Sequence, residues 1–255
     1  MARTPQADAL FASYNIHKCV GTDRKFDPDR IEAVIEEIGA DVIAIQEADR
    51  RFGDRSALLD LNSIHRRTGL VPAPVTNGHK GHGWHGNMLM VREGSVSRMR
   101  QIDLPGHEPR GALVADLELP TGPVRVVAAH LGLLRQARLA QVSTLIAAAK
   151  DRTDRPIVLM GDMNEWRVQR RSALEGFAPG FGPIGSGVPS FPAYFPMLAL
   201  DRILARPHTI IEGVEAHDTP LARKASDHLP IKTRIRLEPA RAAAGSAAGD
   251  LRAEA

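Results

Sequence analysis

The chain has 255 residues, of which 43% are hydrophobic and 25% charged, with a formal net charge of +3. That balance suits a globular chain with a sizeable core, and the charge is too small to name a nucleic acid or any other partner. One cysteine, Cys19, excludes an intramolecular disulfide, and no apolar run reaches the ~18 residues of a membrane span or the length of a signal peptide. The expectation is a cytoplasmic chain with no transmembrane segment and no evident obligate protein partner, able to touch a membrane only peripherally.

Aromatic residues make up 4%, so the core must be built from Ala, Val, Ile and Leu. Residues 11–16 read as a first strand. Asp27-Pro28-Asp29 is a helix start, with a capping Asp and Pro at the first helical position. Ile31, Val34, Ile35 and Ile38 then follow at helical spacing, and Gly39 stops the run. A strand is expected over 41–46, a helix over 57–67, and strands over 88–92, 111–119 and 124–129. Residues 135–150 form the next helix, with Leu139, Val142, Leu145 and Ile146 on one face. Strands at 156–160, 200–205 and 231–237 complete the set. From Pro239 the sequence PARAAAGSAAGDLRAEA has almost nothing to bury. Residues 8–237 are therefore expected as one domain and 238–255 as a disordered tail.

VIAI, VVAA and PIVLM are continuously apolar, so both faces of these strands need cover. Many strands with few helices point to two sheets packed face to face, with helices outside. Each apolar run also ends in a polar group. VIAI runs into Gln46-Glu47, VVAA into His130, and IVLM into Gly161-Asp162-Met163-Asn164. The first strand ends near Asn15, the LAL run ends in Asp201, and the last strand is entered through Ser226-Asp227-His228. Taken singly, each is more often a turn or capping group. Six together place carboxylates, amides and imidazoles where a rigid scaffold can aim them into one cleft.

A Glu with Asn and Asp supplies hard oxygen ligands suited to Mg²⁺ with several waters retained. There is no Cys cluster, HExxH, GxSxG or Gly-rich phosphate loop, which disfavours zinc hydrolases, serine hydrolases and P-loop enzymes. Metal-assisted attack of water on phosphorus is what this donor set supports. His79, His82 and His85 in NGHKGHGWHGN read as a loop beside the cleft rather than a metal site. Trp84 and Trp166 either line a groove or simply pack. Arg135, Arg138, Arg167, Arg170 and Arg171 read mostly as solvated, with Arg138 and Gln141 placed to pair internally.

The segments SYNIH (13–17), IAIQEAD (43–49), HGNMLMVR (85–92), PRGAL (109–113), AAHLGL (128–133) with RLAQ (138–141), GDMNEW (161–166), LALDRIL (198–204) and SDHLP (226–230) occur together in this order. On them the chain resembles the endonuclease/exonuclease/phosphatase superfamily. The resemblance implies an α+β fold: a four-layer α/β/β/α sandwich of two packed, mainly antiparallel sheets flanked by helices. It also implies Mg²⁺ as cofactor, with Mn²⁺ as a substitute, held by Glu47, Asn15 and Asp227. By the same resemblance Asp162 activates or orients the attacking water, and Asn164 hydrogen-bonds the phosphate. His228 binds the phosphoryl oxygens, Asp201 orients its ring, and His130 and Arg110 contact the phosphate. Met163 stands where Phe is commoner. The partner implied is a phosphate-ester substrate. A phospholipid head group or other small phosphodiester is the first reading, a nuclease acting on nucleic acid the alternative, and a non-catalytic binding member the third.

Overall fold

A computed structural model describes residues 8–50, 57–76, 81–150 and 153–237. The expected tail and His79 lie outside the described residues. In chain order the elements are β1 (Asp8–Asn15), α1 (Pro28–Ile38), β2 (Val42–Gln46), α2 (Leu61–Thr68), β3 (Val71–Pro72), β4 (Met88–Val91), β5 (Ser95–Leu104), β6 (Arg110–Leu119), β7 (Gly122–His130), α3 (Arg135–Lys150), β8 (Ile157–Asp162), α4 (Ala178–Phe181), β9 (Asp201–Arg206), β10 (Glu215–Ala216), α5 (Pro220–Ala225) and β11 (Ile231–Arg236). One sheet has the order β10-β11-β1-β2-β4-β3 and the other β5-β6-β7-β8-β9. β1/β2 and β7/β8 pair parallel, while the other pairings between named strands are antiparallel.

Three apolar layers build the sandwich, and strand alternation explains them. Phe11, Val42, Ala44, Leu89, Leu113, Val126, Val158 and Met160 lie between the two sheets. Their strand neighbours Tyr14, Ile43, Ile45 and Met90 point the other way, onto Ile31, Val34 and Ile35 of α1. On the opposite flank Val127, Ile157 and Leu159 pack on Val142 and Leu145 of α3 and on Phe177. Three cores separate four layers, the α/β/β/α sandwich expected. The runs VIAI and IVLM are buried on both faces for this reason.

α1 begins where Asp27 accepts from Arg30 N at 3.1 Å and ends at Gly39, whose φ of 64° is left-handed. The helix expected over 57–67 begins four residues later, at Leu61, because Asp60 caps the N–H groups of Asn62 and Ser63. β5 was not foreseen. It is an edge strand with exposed Arg98 and weak alternation, held by its pairing with β6 rather than by burial. Inside the second sheet Arg125, 1% exposed, meets both carboxylate oxygens of Asp116 at 2.6 and 2.8 Å. Among the described residues, no helix is long and apolar enough to cross a membrane.

Candidate active site

The rows of side chains that fill the inter-sheet core continue, at one edge, as polar groups. On β8 the row Val158, Met160 is followed by Asp162; on β7 Val126 and Ala128 are followed by His130. β1 carries Ala9, Phe11, Ser13 and Asn15 on the same parity, and β9 enters that row at Asp201 before Ile203. Strand register then aligns them: His130 is the cross-strand partner of Asp162, and Asp162 of Asp201. Gly161 makes this possible. At φ 148° its backbone passes so near β7 that a Cβ would run into the Ala129 carbonyl oxygen.

Asp162 is the hub of the cluster and is buried. Its Oδ2 accepts from Asn15 Nδ2 at 3.0 Å and lies 3.3 Å from His130 Nε2 and 3.8 Å from His228 Nε2. Its Oδ1 accepts from Asn164 N at 2.8 Å. The Nδ1 of His228 lies 2.8 Å from Asp201 Oδ2, which also accepts from Ser190 Oγ at 2.6 Å. Phe191 covers the imidazole with ring centroids 5.0 Å apart. Ser226 Oγ donates to the Asn15 carbonyl at 2.7 Å, which fixes the approach of the His228 segment to β1.

Burial pushes the Asp162 carboxyl up to about 6, against the lowering pull of His228. Burial would lower the His228 imidazole, but Asp201 and then Asp162 outweigh it and raise the ring to about 10. Near neutrality the pair is therefore a carboxylate beside an imidazolium.

Glu47 borders a neighbouring cleft lined by Lys18, Asp49, His85, Arg110 and His130, so His130 joins the two halves. Burial acts to raise the Glu47 carboxyl, and Lys18 with His17 overcomes it, leaving the group below its usual value. The Lys18 ammonium rests directly against Glu47 Oε2. Arg110 is paired with Glu108 at 2.9 Å. Asp227 is partly exposed, its Oδ1 3.6 Å from His17 Nδ1.

The structure thus brings Asn15, His130, Asp162, Asp201 and His228 into one bonded cluster, with Glu47 and Arg110 in the adjoining cleft. Asn164, expected to reach toward phosphate, has φ 49° and donates from Nδ2 to the Leu131 carbonyl at 2.8 Å, which anchors its amide. Asn15 likewise accepts from His17 N at 3.0 Å while donating to Asp162. Arg138 and Gln141 pair internally: Arg138 with Glu165 at 3.1 Å, and Gln141 Oε1 with Gly132 N at 2.8 Å. His82 and His85 bond different groups, the Leu59 carbonyl at 2.8 Å and Asp103 at 3.1 Å. Trp84 packs against the inter-sheet core, whereas Trp166 is exposed.

Sequence reasoning missed Lys18, Ser190 and Glu165. Lys18 reaches Glu47 through a left-handed turn, φ 55°, that no residue type announced. Glu165 sits inside GDMNEW, yet its burial beneath Arg138 and the Ala173 N–H, 3.2 Å away, is a tertiary fact.

Among the described residues, two places could hold a cation. Asp162, Asp201 and His228 present atoms within 4.8 Å of one another. His228 Nδ1 and Ser190 Oγ already occupy Asp201 Oδ2, and Asn15 occupies Asp162 Oδ2, which argues for a hydrogen-bonded catalytic cluster, while Asp201 Oδ1 is buried without a hydrogen-bond partner. Glu47 offers a carboxylate held ionised at an open cleft, with an ammonium already against it. Together with the oxygens of Asn15 and Asp227, that donor chemistry fits a hard divalent ion.

A model of the Endonuclease/Exonuclease/phosphatase family matches residues 12–228. Among solved structures, an endonuclease/exonuclease/phosphatase from Beutenbergia cavernae DSM 12333 is similar at 23% identity and a TM-score of 0.69, covering 91% of this chain and 72% of that one. The mannosyl-6-phosphatase of Bacteroides thetaiotaomicron VPI-5482 aligns at 15% identity and a TM-score of 0.65, over 88% of this chain and 98% of its own. A humanized D. rerio TDP2 with 14 mutations aligns at 16% identity and a TM-score of 0.62, over 90% and 99% respectively. At these identities the likeness is one of fold. No curated protein matches the chain.

Proposed function

The chain belongs to the Endonuclease/Exonuclease/phosphatase family, and on that premise we propose that residues 8–237 act as one Mg²⁺-dependent phosphoesterase domain whose substrate is a small phosphodiester, a phospholipid head group first among them. The observation that carries this reading is the buried Asp162 3.8 Å from His228, which Asp201 holds by its other ring nitrogen, beside the cleft of Glu47.

Glu47, Asn15 and Asp227 would hold the divalent ion, Mg²⁺ or Mn²⁺ in its place, which would supply positive charge to the phosphate oxygens. The rest is done by the chain's own residues. Asp162, with a pKa of about 6, accepts the proton of the attacking water as its oxygen bonds to phosphorus. Asn15 and the Asn164 N–H hold that carboxylate in place. His228, kept cationic and oriented by Asp201, donates to a phosphoryl oxygen as negative charge builds. His130 and Arg110 flank the same oxygens. The bond from phosphorus to the leaving oxygen breaks, that oxygen takes up a proton from solvent, and the proton held by Asp162 returns to solvent. A nuclease would use the same groups, and the exposed Trp166 with the Arg167 guanidinium 4.9 Å from its ring centroid is the observation that favours that reading.

The test is a panel of bis-p-nitrophenyl phosphate, phospholipids, inositol phosphates, plasmid DNA and abasic duplex, with Mg²⁺ and with EDTA. Turnover should be EDTA-sensitive and at least ~10²-fold lower in His228→Ala. Turnover untouched by both treatments, or absent on every ester, would overturn the assignment.

A further inference from the structure

Large apolar side chains stand exposed at Leu133, Leu134, Trp166, Val168, Phe195 and Met197. They are not scattered. β7 ends at His130, β8 ends at Asp162 and β9 begins at Asp201, three neighbouring strands that share one edge. Leu133 and Leu134 lie in the segment leaving β7, Trp166 and Val168 in the segment leaving β8, and Phe195 and Met197 in the segment entering β9. Polar ties, one exposed and the others buried, hold these segments together. Arg138 donates to the Gly132 carbonyl at 3.0 Å and to Glu165 at 3.1 Å, Arg135 donates to the Arg171 carbonyl at 3.2 Å, and Met163 N donates to the Leu200 carbonyl at 2.9 Å. The apolar groups are presented to solvent from an anchored frame, in the segments that follow His130 and Asp162 and precede Asp201.

Charge selects the partner. Residues 131–140, LGLLRQARLA, and 166–172, WRVQRRS, contain no Asp or Glu, and Arg135, Arg170 and Arg171 are exposed among the apolar groups. Arginines seek anions, while exposed Leu and Met gain only from an apolar medium. An anionic bilayer offers both within the depth of a side chain. A single-stranded nucleic acid would engage the arginines and Trp166, but it has no counterpart for Leu133, Leu134 and Met197. The aliphatic residues decide between them.

We propose that this edge docks on an anionic lipid bilayer. Leu133 and Leu134 on one side, and Phe195 and Met197 on the other, enter the boundary between head groups and acyl chains, and the cleft opens onto the membrane surface. The proposal deepens the phosphodiesterase reading and rests on it for the substrate, though docking itself needs no turnover.

The full chain, in EDTA, is sedimented with vesicles of phosphatidylcholine and with vesicles in which about a third of the lipid is phosphatidylglycerol. The wild type should bind the anionic vesicles. Leu133→Ser/Leu134→Ser should weaken binding at least ~10-fold, and Arg170→Ala/Arg171→Ala roughly 30-fold. Both variants should turn over bis-p-nitrophenyl phosphate like wild type, which also reports that they fold. Failure of the wild type to sediment, binding indifferent to the Leu pair, or binding to a single-stranded oligonucleotide in preference to vesicles overturns the proposal. A wild type that turns over esters but does not sediment with anionic vesicles refutes the docking surface alone. Intact vesicle binding with no turnover of any ester refutes the enzyme reading and leaves the surface standing.

Discussion

Asp201→Asn removes a charge while keeping the side chain's shape, and it tests the electrostatics of the site directly. Asp201 is 1% exposed and lies 2.8 Å from His228 Nδ1. The imidazole rises from 6.5 to about 10 although burial acts against it, with Asp201 the first contributor and Asp162 the second. Without Asp201 the variant imidazole titrates lower than in the wild type, because one of the carboxylates that holds it cationic is gone. The sign for activity follows from the two proton states required. Asp162 must be deprotonated, so the rate climbs as pH rises through about 6. His228 must be protonated, so the rate falls as pH rises through about 10 in the wild type. In Asp201→Asn the alkaline limb should move to lower pH, and kcat/KM at about pH 9 should drop by at least ~10-fold. The assay is kcat/KM for bis-p-nitrophenyl phosphate against pH with saturating Mg²⁺. An alkaline limb that stays near its wild-type position, with kcat/KM within a few-fold throughout, would refute the role given to this pair.

Glu47→Ala should raise the Mg²⁺ concentration needed for half-maximal turnover by at least ~10-fold, and an unchanged metal titration would remove Glu47 from the ligand set. Gly161→Ala drives a Cβ into the Ala129 carbonyl at φ 148°. It should cost ~3 kcal/mol or more in urea unfolding, with turnover lost as Asp162 shifts; near-native stability would show that β7 and β8 can separate freely. Arg125→Ala leaves Asp116 buried without its bidentate partner and should lower stability by ~3–5 kcal/mol. A variant that melts with the wild type would mean solvent reaches that carboxylate.

Much of the candidate site was legible because strands end where their apolar run ends. VVAA-His130 and IVLMG-Asp162 announce a core row that continues into a polar one, and the period of two keeps both on the inter-sheet face. α1 was legible at both ends because Asp27, Pro28 and Gly39 act within a few residues of themselves. What stayed hidden depends on distant approach. The Asn15–Asp162 hydrogen bond spans 147 residues, and although His17 N fixes the amide oxygen locally, nothing in SYNIH names the partner its nitrogen meets. Lys18 and Ser190 acquire their partners through loop geometry rather than through any run of residue types. β5 escaped notice because an edge strand is stabilised by its neighbour's backbone, and its own side chains carry little of that information.

The candidate site is divided between the two sheets: Asn15 on β1, Glu47 directly after β2 and His228 shortly before β11 belong to the first, and His130, Asp162 and Asp201 to the second. Neither sheet holds a working constellation by itself. Chemistry in this fold is consequently a gauge of layer registry. A chain whose sheets were both formed but had slid by one core row past each other would keep its circular dichroism and all of its catalytic side chains, and would still be inert.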